Sequence, residues 1–137
     1  MALRTALRTV CAAALCLLLA CCVKPSSYEE FIRADEAVGG LYSFTLDLAD
    51  SLCTYDISFY TADDNVQPEG LPVYVVWTGP EGGNFEELVY MKPGETVQPY
   101  RFHVEMAVPG EWKLDLRPMQ VPDGFRGIGV ICKRKDM

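Results

Sequence analysis

The sequence predicts an all-β protein, an antiparallel β-sandwich of the immunoglobulin or jelly-roll kind with about seven strands. From residue 41 onward, apolar and polar residues alternate in short runs, which is the pattern of half-buried strands. Clusters of Gly, Pro, Asn and Asp separate these runs at the spacing typical of a sandwich. No stretch with helical periodicity lies between the runs, which excludes βαβ units and the parallel-sheet enzymes. Hydrophobic residues make up 50% of the chain, enough to fill a core between two sheets.

The predicted strands follow from these alternating runs. They are expected at 41–48, 53–59, 71–78, 85–91, 100–106, 112–117 and 127–132. The third of them is apolar on both faces, so it is the best candidate for a central strand. In the fifth predicted strand, the alternation places Phe102 and Val104 on the inward face and His103 on the outward face. In the last, Gly127 and Gly129 share one face, which favours either a neighbouring aromatic side chain packed over them or a bulge. The alternative is a flat face onto which a partner docks.

The first 20 residues are typical of a bacterial lipoprotein signal. Arg4 and Arg8 precede an apolar run over 10–19, which is too short to span a bilayer comfortably. The run ends in Leu18-Leu19-Ala20-Cys21, which resembles the lipobox of lipid-modified exported proteins. We therefore expect cleavage before Cys21 and acylation of that cysteine, which would anchor the mature protein to a membrane.

The expected organisation is a signal peptide over 1–20, a lipidated cysteine with a tether over 21–40, and a sandwich domain over 41–137. Polar sequence with Pro and Ser is suited to a tether. An S-x-x-E capping pattern inside the tether indicates one short helical turn over 28–33. The mature chain is long enough for one domain of ordinary size and too short for two.

The residues after the lipidated cysteine indicate the location. Position +2 is Cys22, so the aspartate that retains enteric lipoproteins in the inner membrane is absent, which favours the outer membrane. Lys24-Pro25-Ser26-Ser27 stands where some Bacteroidota place an acid-rich surface-export signal. The sequence therefore favours the periplasmic face.

The charge balance excludes several classes of partner. The full chain has a net charge of −7. The signal removes two arginines and no acid, so the mature chain is still more acidic. Such a chain has no basic stripe for nucleic acid, and anionic lipid head groups would repel it. Its membrane contact is expected to come from the acyl chains on Cys21.

Six cysteines are present, but two leave with the signal and Cys21 carries the lipid. Cys22, Cys53 and Cys132 remain. Cys53 opens one strand and Cys132 closes another, both with inward parity, so a disulfide between them is one prediction. Two buried free thiols are the other. Without a C-x-x-C motif or a Cys/His cluster, no structural zinc site is expected.

No catalytic group is apparent, and no cofactor is expected. The single histidine, His103, has no Ser or Cys nucleophile motif beside it and is interpreted as a surface residue. Asp47, Asp50 and Asp56 lie on or beside two early strands and are interpreted as solvated acids. Asp63-Asp64-Asn65 is only a fragment of a calcium loop, and no metal site is predicted.

The aromatic residues allow two interpretations. Inward Trp and Tyr are usual in the core of a sandwich. Tyr60, Tyr74 and Tyr100 could instead form an exposed platform for sugar rings or a protein partner.

Several motifs together resemble the gliding-motility lipoprotein H (GldH-like) family of the Bacteroidota. They cover roughly residues 41–132 in order. They comprise Phe44-Thr45-Leu46-Asp47-Leu48 with Asp50, Thr54-Tyr55-Asp56-Ile57-Ser58-Phe59-Tyr60, Val73–Trp77, Pro80-Glu81-Gly82, Gly110-Glu111-Trp112-Lys113-Leu114 and Gly127-Ile128-Gly129-Val130. The resemblance implies a non-enzymatic, lipid-anchored β-sandwich of the cell envelope, with some members needed for gliding or its associated secretion machinery. It supplies no catalytic residues.

The resulting expectation is a non-enzymatic accessory or assembly component of an envelope complex of the gliding or secretion type. Its partners would be the membrane, through Cys21, and other envelope proteins. The alternative is a glycan-binding surface lipoprotein that uses exposed Tyr and Trp. A third class, a small hydrolase, requires a cleft with two acids or a His103-centred group.

Overall fold

The chain folds as a two-sheet β-sandwich, which confirms the predicted fold class. The computed structural model describes residues 27–63, 70–92 and 97–136. Within these residues there are eight antiparallel strands and no helix, hence none that could cross a membrane. The strands are β1 (Ser27–Arg33), β2 (Tyr42–Leu48), β3 (Cys53–Asp63), β4 (Leu71–Thr78), β5 (Asn84–Met91), β6 (Val97–Val104), β7 (Gly110–Pro118) and β8 (Phe125–Asp136). The seven predicted strands correspond to β2–β8.

The strand order is that of a jelly roll. One sheet has the order β1-β8-β3-β6 and the other β2-β7-β4-β5. The first strand pairs with the last, the second with the seventh, the third with the sixth, and the fourth with the fifth. This is the pattern of one long antiparallel hairpin rolled into two sheets. The edge strands β5 and β6 consequently lie on the same side of the sandwich.

The core forms where the inward faces of the two sheets meet. In β2 and β4 every second residue is buried, as the alternation predicts. The largest fully buried side chains come from both sheets, so neither sheet could bury its apolar face alone. They are Phe44, Leu46, Leu48, Ile57, Phe59, Val73, Val75, Leu114, Leu116, Ile128 and Val130.

The helical turn predicted over 28–33 is wrong, because this segment is strand β1. β1 pairs with β8 over seven residues, from Ser27 opposite Lys133 to Arg33 opposite Gly127. The sandwich therefore begins within the segment predicted as tether. The alternation rule missed β1 because it is an edge strand whose first four residues are exposed on both faces, so no period of two appears.

The two glycines of β8 hold β1 and β3 close. A Cβ atom at Gly129 would lie 2.0 Å from Cζ of Tyr60, and one at Gly127 would lie 2.6 Å from Cζ of Phe31. The rings of Phe31 and Tyr60 stack on each other with centroids 5.8 Å apart. The prediction of aromatic side chains packed over these glycines is therefore confirmed.

Strand β6 departs from the predicted alternation. Its pairing with β3 shifts register twice, so that Tyr55 lies opposite Val104 but Ile57 lies opposite Arg101. Such bulges change which face a side chain takes. Phe102 is 52% exposed for this reason, contrary to its predicted inward position. His103 is exposed, as predicted, and has a positive φ of 56°.

Candidate functional site

An apolar groove lies between the two sheets on the side of the edge strands β5 and β6. We call it the flank groove. Its volume is about 220 Å³. It is lined by Leu48, Ile57, Trp77, Phe85, Tyr100, Arg101, Val104, Met106 and Trp112. Most of these are apolar or aromatic side chains, which is the usual composition of a binding pocket.

A row of aromatic rings forms one wall of the flank groove. Tyr100 stacks on the core residue Phe59 with centroids 4.3 Å apart. Trp77 lies 6.3 Å from Tyr100 in a nearly parallel orientation, and Trp112 meets Trp77 edge-on at 6.2 Å. The row is continuous from the core outward, so the wall of the groove is rigid and anchored in the fold.

Local contacts fix both tryptophans. The indole N–H of Trp77 donates to the hydroxyl of Tyr100 at 3.0 Å, and that of Trp112 donates to the carbonyl of Val108 at 2.9 Å. A Cβ atom at Gly79 would lie 3.0 Å from Cη2 of Trp112, so the absence of a side chain there makes room for the ring. Both indole nitrogens are thus satisfied within the protein.

The rim of the groove is polar and electrically balanced. The carboxylate of Glu87 accepts two bonds from the guanidinium of Arg101, at 2.7 and 2.8 Å, and one from the hydroxyl of Tyr100. The guanidinium also lies 4.8 Å from the centroid of the Tyr100 ring. Burial and the neighbouring Glu87 raise the pKa of Tyr100, so its hydroxyl remains a donor at neutral pH. The lining therefore suits an apolar group rather than proton transfer.

Phe85 is the most accessible ring of the groove. It is 51% exposed and lies directly opposite Trp77 in the β4–β5 pairing. Phe85, Glu87 and Arg101 were not among the predicted site residues. Glu87 could have been recognised from the sequence, because it is a charged residue at an inward-facing strand position. In the structure it lies opposite Val75.

Asp56 holds the irregular part of β6 in place. Its carboxylate accepts the backbone N–H of His103 at 2.9 Å and lies 2.7 Å from Nζ of Lys135. These two contacts, the first of them the larger cause, lower the pKa of Asp56. Asp56 is buried, so the prediction that it is a solvated acid is wrong. Its bond to His103 comes from the backbone rather than from the imidazole, so the pair is structural.

The two cysteines of the sandwich are buried free thiols, and the strand register separates them. Cys132 lies opposite Ile57, whereas Cys53 lies opposite Asp136, four positions further along. This offset is roughly 13 Å along the strands, against a Cα separation below about 7 Å in a disulfide. The prediction of a Cys53–Cys132 disulfide is thus corrected, because β8 continues four residues beyond Cys132. Burial raises the pKa of each thiol to about 11, with the carboxylates of Asp50 and Asp136 adding to this effect at Cys53.

The other predicted site residues do not converge. Tyr60 lies over Gly129 on the outer face of one sheet, Tyr74 on the outer face of the other, and Tyr100 between the sheets. They do not form one platform. Asp47 is exposed on β2, and Asp50 lies in the β2–β3 turn, where its side chain accepts the N–H of Leu52.

Some predictions fall outside the described residues. The lipidation site Cys21 and its neighbour Cys22 do so, as do Asp64 and Asn65 and the side chain of Asp63. Over 27–63, 70–92 and 97–136, no group of three or more His, Cys, Asp or Glu side chains could hold a metal ion.

Comparison with known proteins supports the fold. No protein-family model matches the chain, and no curated protein does. The chain is similar to a crystal structure of a protein from Sulfurospirillum deleyianum, with a TM-score of 0.52 at 7% identity, covering 83% of this chain and 100% of that one. This similarity shows a shared fold.

Two further structures are more distant. One is dimeric latent PorU from Porphyromonas gingivalis, with a TM-score of 0.35 at 8% identity over 82% of this chain and 13% of that one. The other is the Yersinia pseudotuberculosis-derived mitogen, with a TM-score of 0.32 at 9% identity over 71% of this chain and 86% of that one. At these scores neither bears on what this chain does.

Proposed function

We propose that this chain is a lipid-anchored, non-enzymatic binding module of the bacterial outer membrane, serving as an accessory or assembly component of an envelope complex. The anchor would be Cys21, and the folded body would lie on the periplasmic side. The resemblance to gliding-motility lipoprotein H suggests gliding or secretion machinery as the complex. The flank groove is the observation that carries the binding role.

The dimensions of the flank groove favour a protein partner. At about 220 Å³ it is smaller than the roughly 300–1,000 Å³ of most small-molecule pockets. A single apolar side chain from a partner would fill it, in the manner of an interface anchor. Glu87 and Arg101 at the rim would remain paired with each other when the partner's side chain fills the groove. Binding would therefore leave neither of these charges unpaired.

A crosslinked affinity pulldown from the native envelope tests this function. The tagged, natively lipidated protein would be compared with Phe85→Glu, which puts a charge at the mouth of the groove. Phe102→Glu is the matched control, because Phe102 is exposed to the same degree and does not line the groove. We expect stoichiometric envelope proteins with the wild type and with Phe102→Glu, and their loss with Phe85→Glu. Equal recovery from both variants would refute a role for the groove.

Glycan binding is the second candidate, and one observation favours it. Tyr90 is 65% exposed on the outer face of the β4–β5 hairpin. It lies opposite Pro72, and the neighbouring pair on that face is Tyr74 with Leu88. An exposed tyrosine ring beside a half-buried one on the same face suits stacking against sugars. Binding of the wild type, but not of Tyr90→Ala, to soluble polysaccharides would move the assignment to this function.

A further inference from the structure

The four edge strands of the sandwich differ in how they are protected against pairing with another chain. Natural proteins protect such edges with charges, proline or bulges. In β6 the protection is Pro99 and two register shifts. In β1 it is the exposed acids Glu29 and Glu30. In β2 the exposed positions are polar, and one of them, Ser43, bonds to Asp115 of the neighbouring strand.

Strand β5 has neither a proline nor a register shift, and its charges are the acids Glu86 and Glu87, the second of which is paired with Arg101. It pairs with β4 over eight consecutive residues without a register shift, so its free edge is regular. Its sequence, Asn84–Met91, contains neither Pro nor Lys. Phe85, Leu88 and Tyr90 are 51%, 48% and 65% exposed. Among the described residues, no strand pairs with the outer edge of β5. An apolar, regular edge of this kind marks an interaction site.

We propose that β5 is a self-association edge, which pairs antiparallel with β5 of a second copy about a two-fold axis at Val89. This goes beyond the binding role of the flank groove and does not depend on it. A two-fold axis makes the interface self-complementary, so each pair across it occurs twice. Leu88 then lies opposite Tyr90 of the second copy. Glu86 lies opposite Lys92 of the second copy, if the alternation continues one residue past the strand.

Charge complementarity selects the second copy as the occupant and this register as its position. Glu86 and Lys92 bracket the exposed residues Leu88 and Tyr90 and carry opposite charges. An axis at Val89 therefore places two acid–base pairs at the ends of an apolar centre. An axis at Glu87 would place that carboxylate opposite its own copy, which is unfavourable. Glu86 is exposed, although it accepts the hydroxyl of Tyr74, so it can reach across the edge.

Disulfide trapping in the native envelope tests the proposal. The full-length chain would carry Val89→Cys, on the axis, together with Cys22→Ser to remove the thiol nearest the lipid. The matched control is Thr45→Cys in the same background, at an exposed position on the protected edge β2. Cys53 and Cys132 are buried and do not interfere. We expect a species of twice the chain mass under non-reducing conditions for Val89→Cys alone. Equal trapping of both variants would overturn the proposal.

A charge exchange tests the register separately from folding. Glu86→Lys and Lys92→Glu, each added to the Val89→Cys chain, would place like charges opposite each other and reduce the trapped species about fivefold. The double variant restores both acid–base pairs with the partners exchanged, and we expect the trapped species to return. Failure of the double variant to recover, when each single variant has lost the dimer, would overturn the axis at Val89.

Discussion

At the scale of single residues, Asp56 links three strands through one carboxylate. It belongs to β3, accepts the backbone of His103 in β6 and pairs with Lys135 of β8. A carboxylate that accepts a backbone N–H and an ammonium is stabilised in its ionised form, which is why its pKa is lowered. The same contacts hold the bulged backbone that places Tyr100 and Arg101 at the flank groove.

Replacing this carboxylate should destabilise the protein in a pH-dependent way. Asp56→Asn is expected to lower the free energy of unfolding by about 1.5–3 kcal/mol at neutral pH, the net value of hydrogen bonds to a charged group. Because the folded-state pKa of Asp56 is depressed, its contribution is present above the unfolded-state pKa of about 4. It is lost as the pH falls through the folded-state value.

Urea unfolding at several pH values measures this effect. The difference between wild type and Asp56→Asn should shrink as the pH falls below about 4. Asp47→Asn is the control, because Asp47 is exposed and its carboxylate accepts the N–H of Ala49, two residues along the chain, rather than linking strands. A difference that does not vary with pH would show that ionisation of Asp56 does not stabilise the fold.

At the scale of elements, the packing of β1 and β3 on β8 depends on the missing side chain at Gly129. The ring of Tyr60 occupies that space and is held from two sides. Phe31 stacks on it, and its hydroxyl donates to Glu29 at 2.9 Å. The ring therefore cannot move aside without breaking contacts with β1.

Gly129→Ala should consequently lower the free energy of unfolding by about 1–3 kcal/mol, the usual cost of an overpacked site. Gly83→Ala is the matched control, since a Cβ atom there meets no atom within 4 Å. The two variants would be compared by thermal or urea unfolding. Similar stabilities for both would contradict the close packing of Tyr60 over β8.

The contribution of the edge strand β1 to stability can be measured by truncation. A chain that begins at Leu41, where the sequence places the domain boundary, lacks β1 and leaves one edge of β8 unpaired. Compared with a chain that begins at Ser27, it should lose at least about 2 kcal/mol of stability, roughly the value of the partly buried Phe31 and Ile32 side chains. Equal unfolding midpoints for the two chains would show that β1 does not stabilise the fold.

At the scale of the whole molecule, the proposed role requires attachment to a membrane through Cys21. Cys21→Ser should remove the acyl mass and shift the protein from the membrane fraction to the soluble fraction. Cys22→Ser is the control, because it alters the adjacent thiol and leaves the lipobox intact. Fractionation and intact-mass measurement of both variants test whether Cys21 carries the lipid anchor. Membrane association of Cys21→Ser equal to that of the wild type would refute the anchor.

The features that could be predicted from the sequence are those that depend on residues close together in the chain. The positions of β2–β8 follow from a period of two, since each strand buries one face and the turns lie between them. β1 could not be found this way, because its first four residues are exposed on both faces and only its pairing with β8 makes it a strand. The position of Phe102 was missed because the bulge in β6 depends on Asp56, far away in the chain.

The sequence by itself determined the all-β class, the positions of β2–β8, the inward faces of β2 and β4 and the glycines covered by aromatic rings, because each follows from local alternation and residue size. Only the tertiary structure decided the order of the strands, the separation of Cys53 from Cys132, the flank groove and the free, regular edge of β5. Each of these depends on which strands become neighbours and in which register, and a jelly roll joins strands that are distant in sequence. Register is set by the packing of two complete faces, which no local pattern contains.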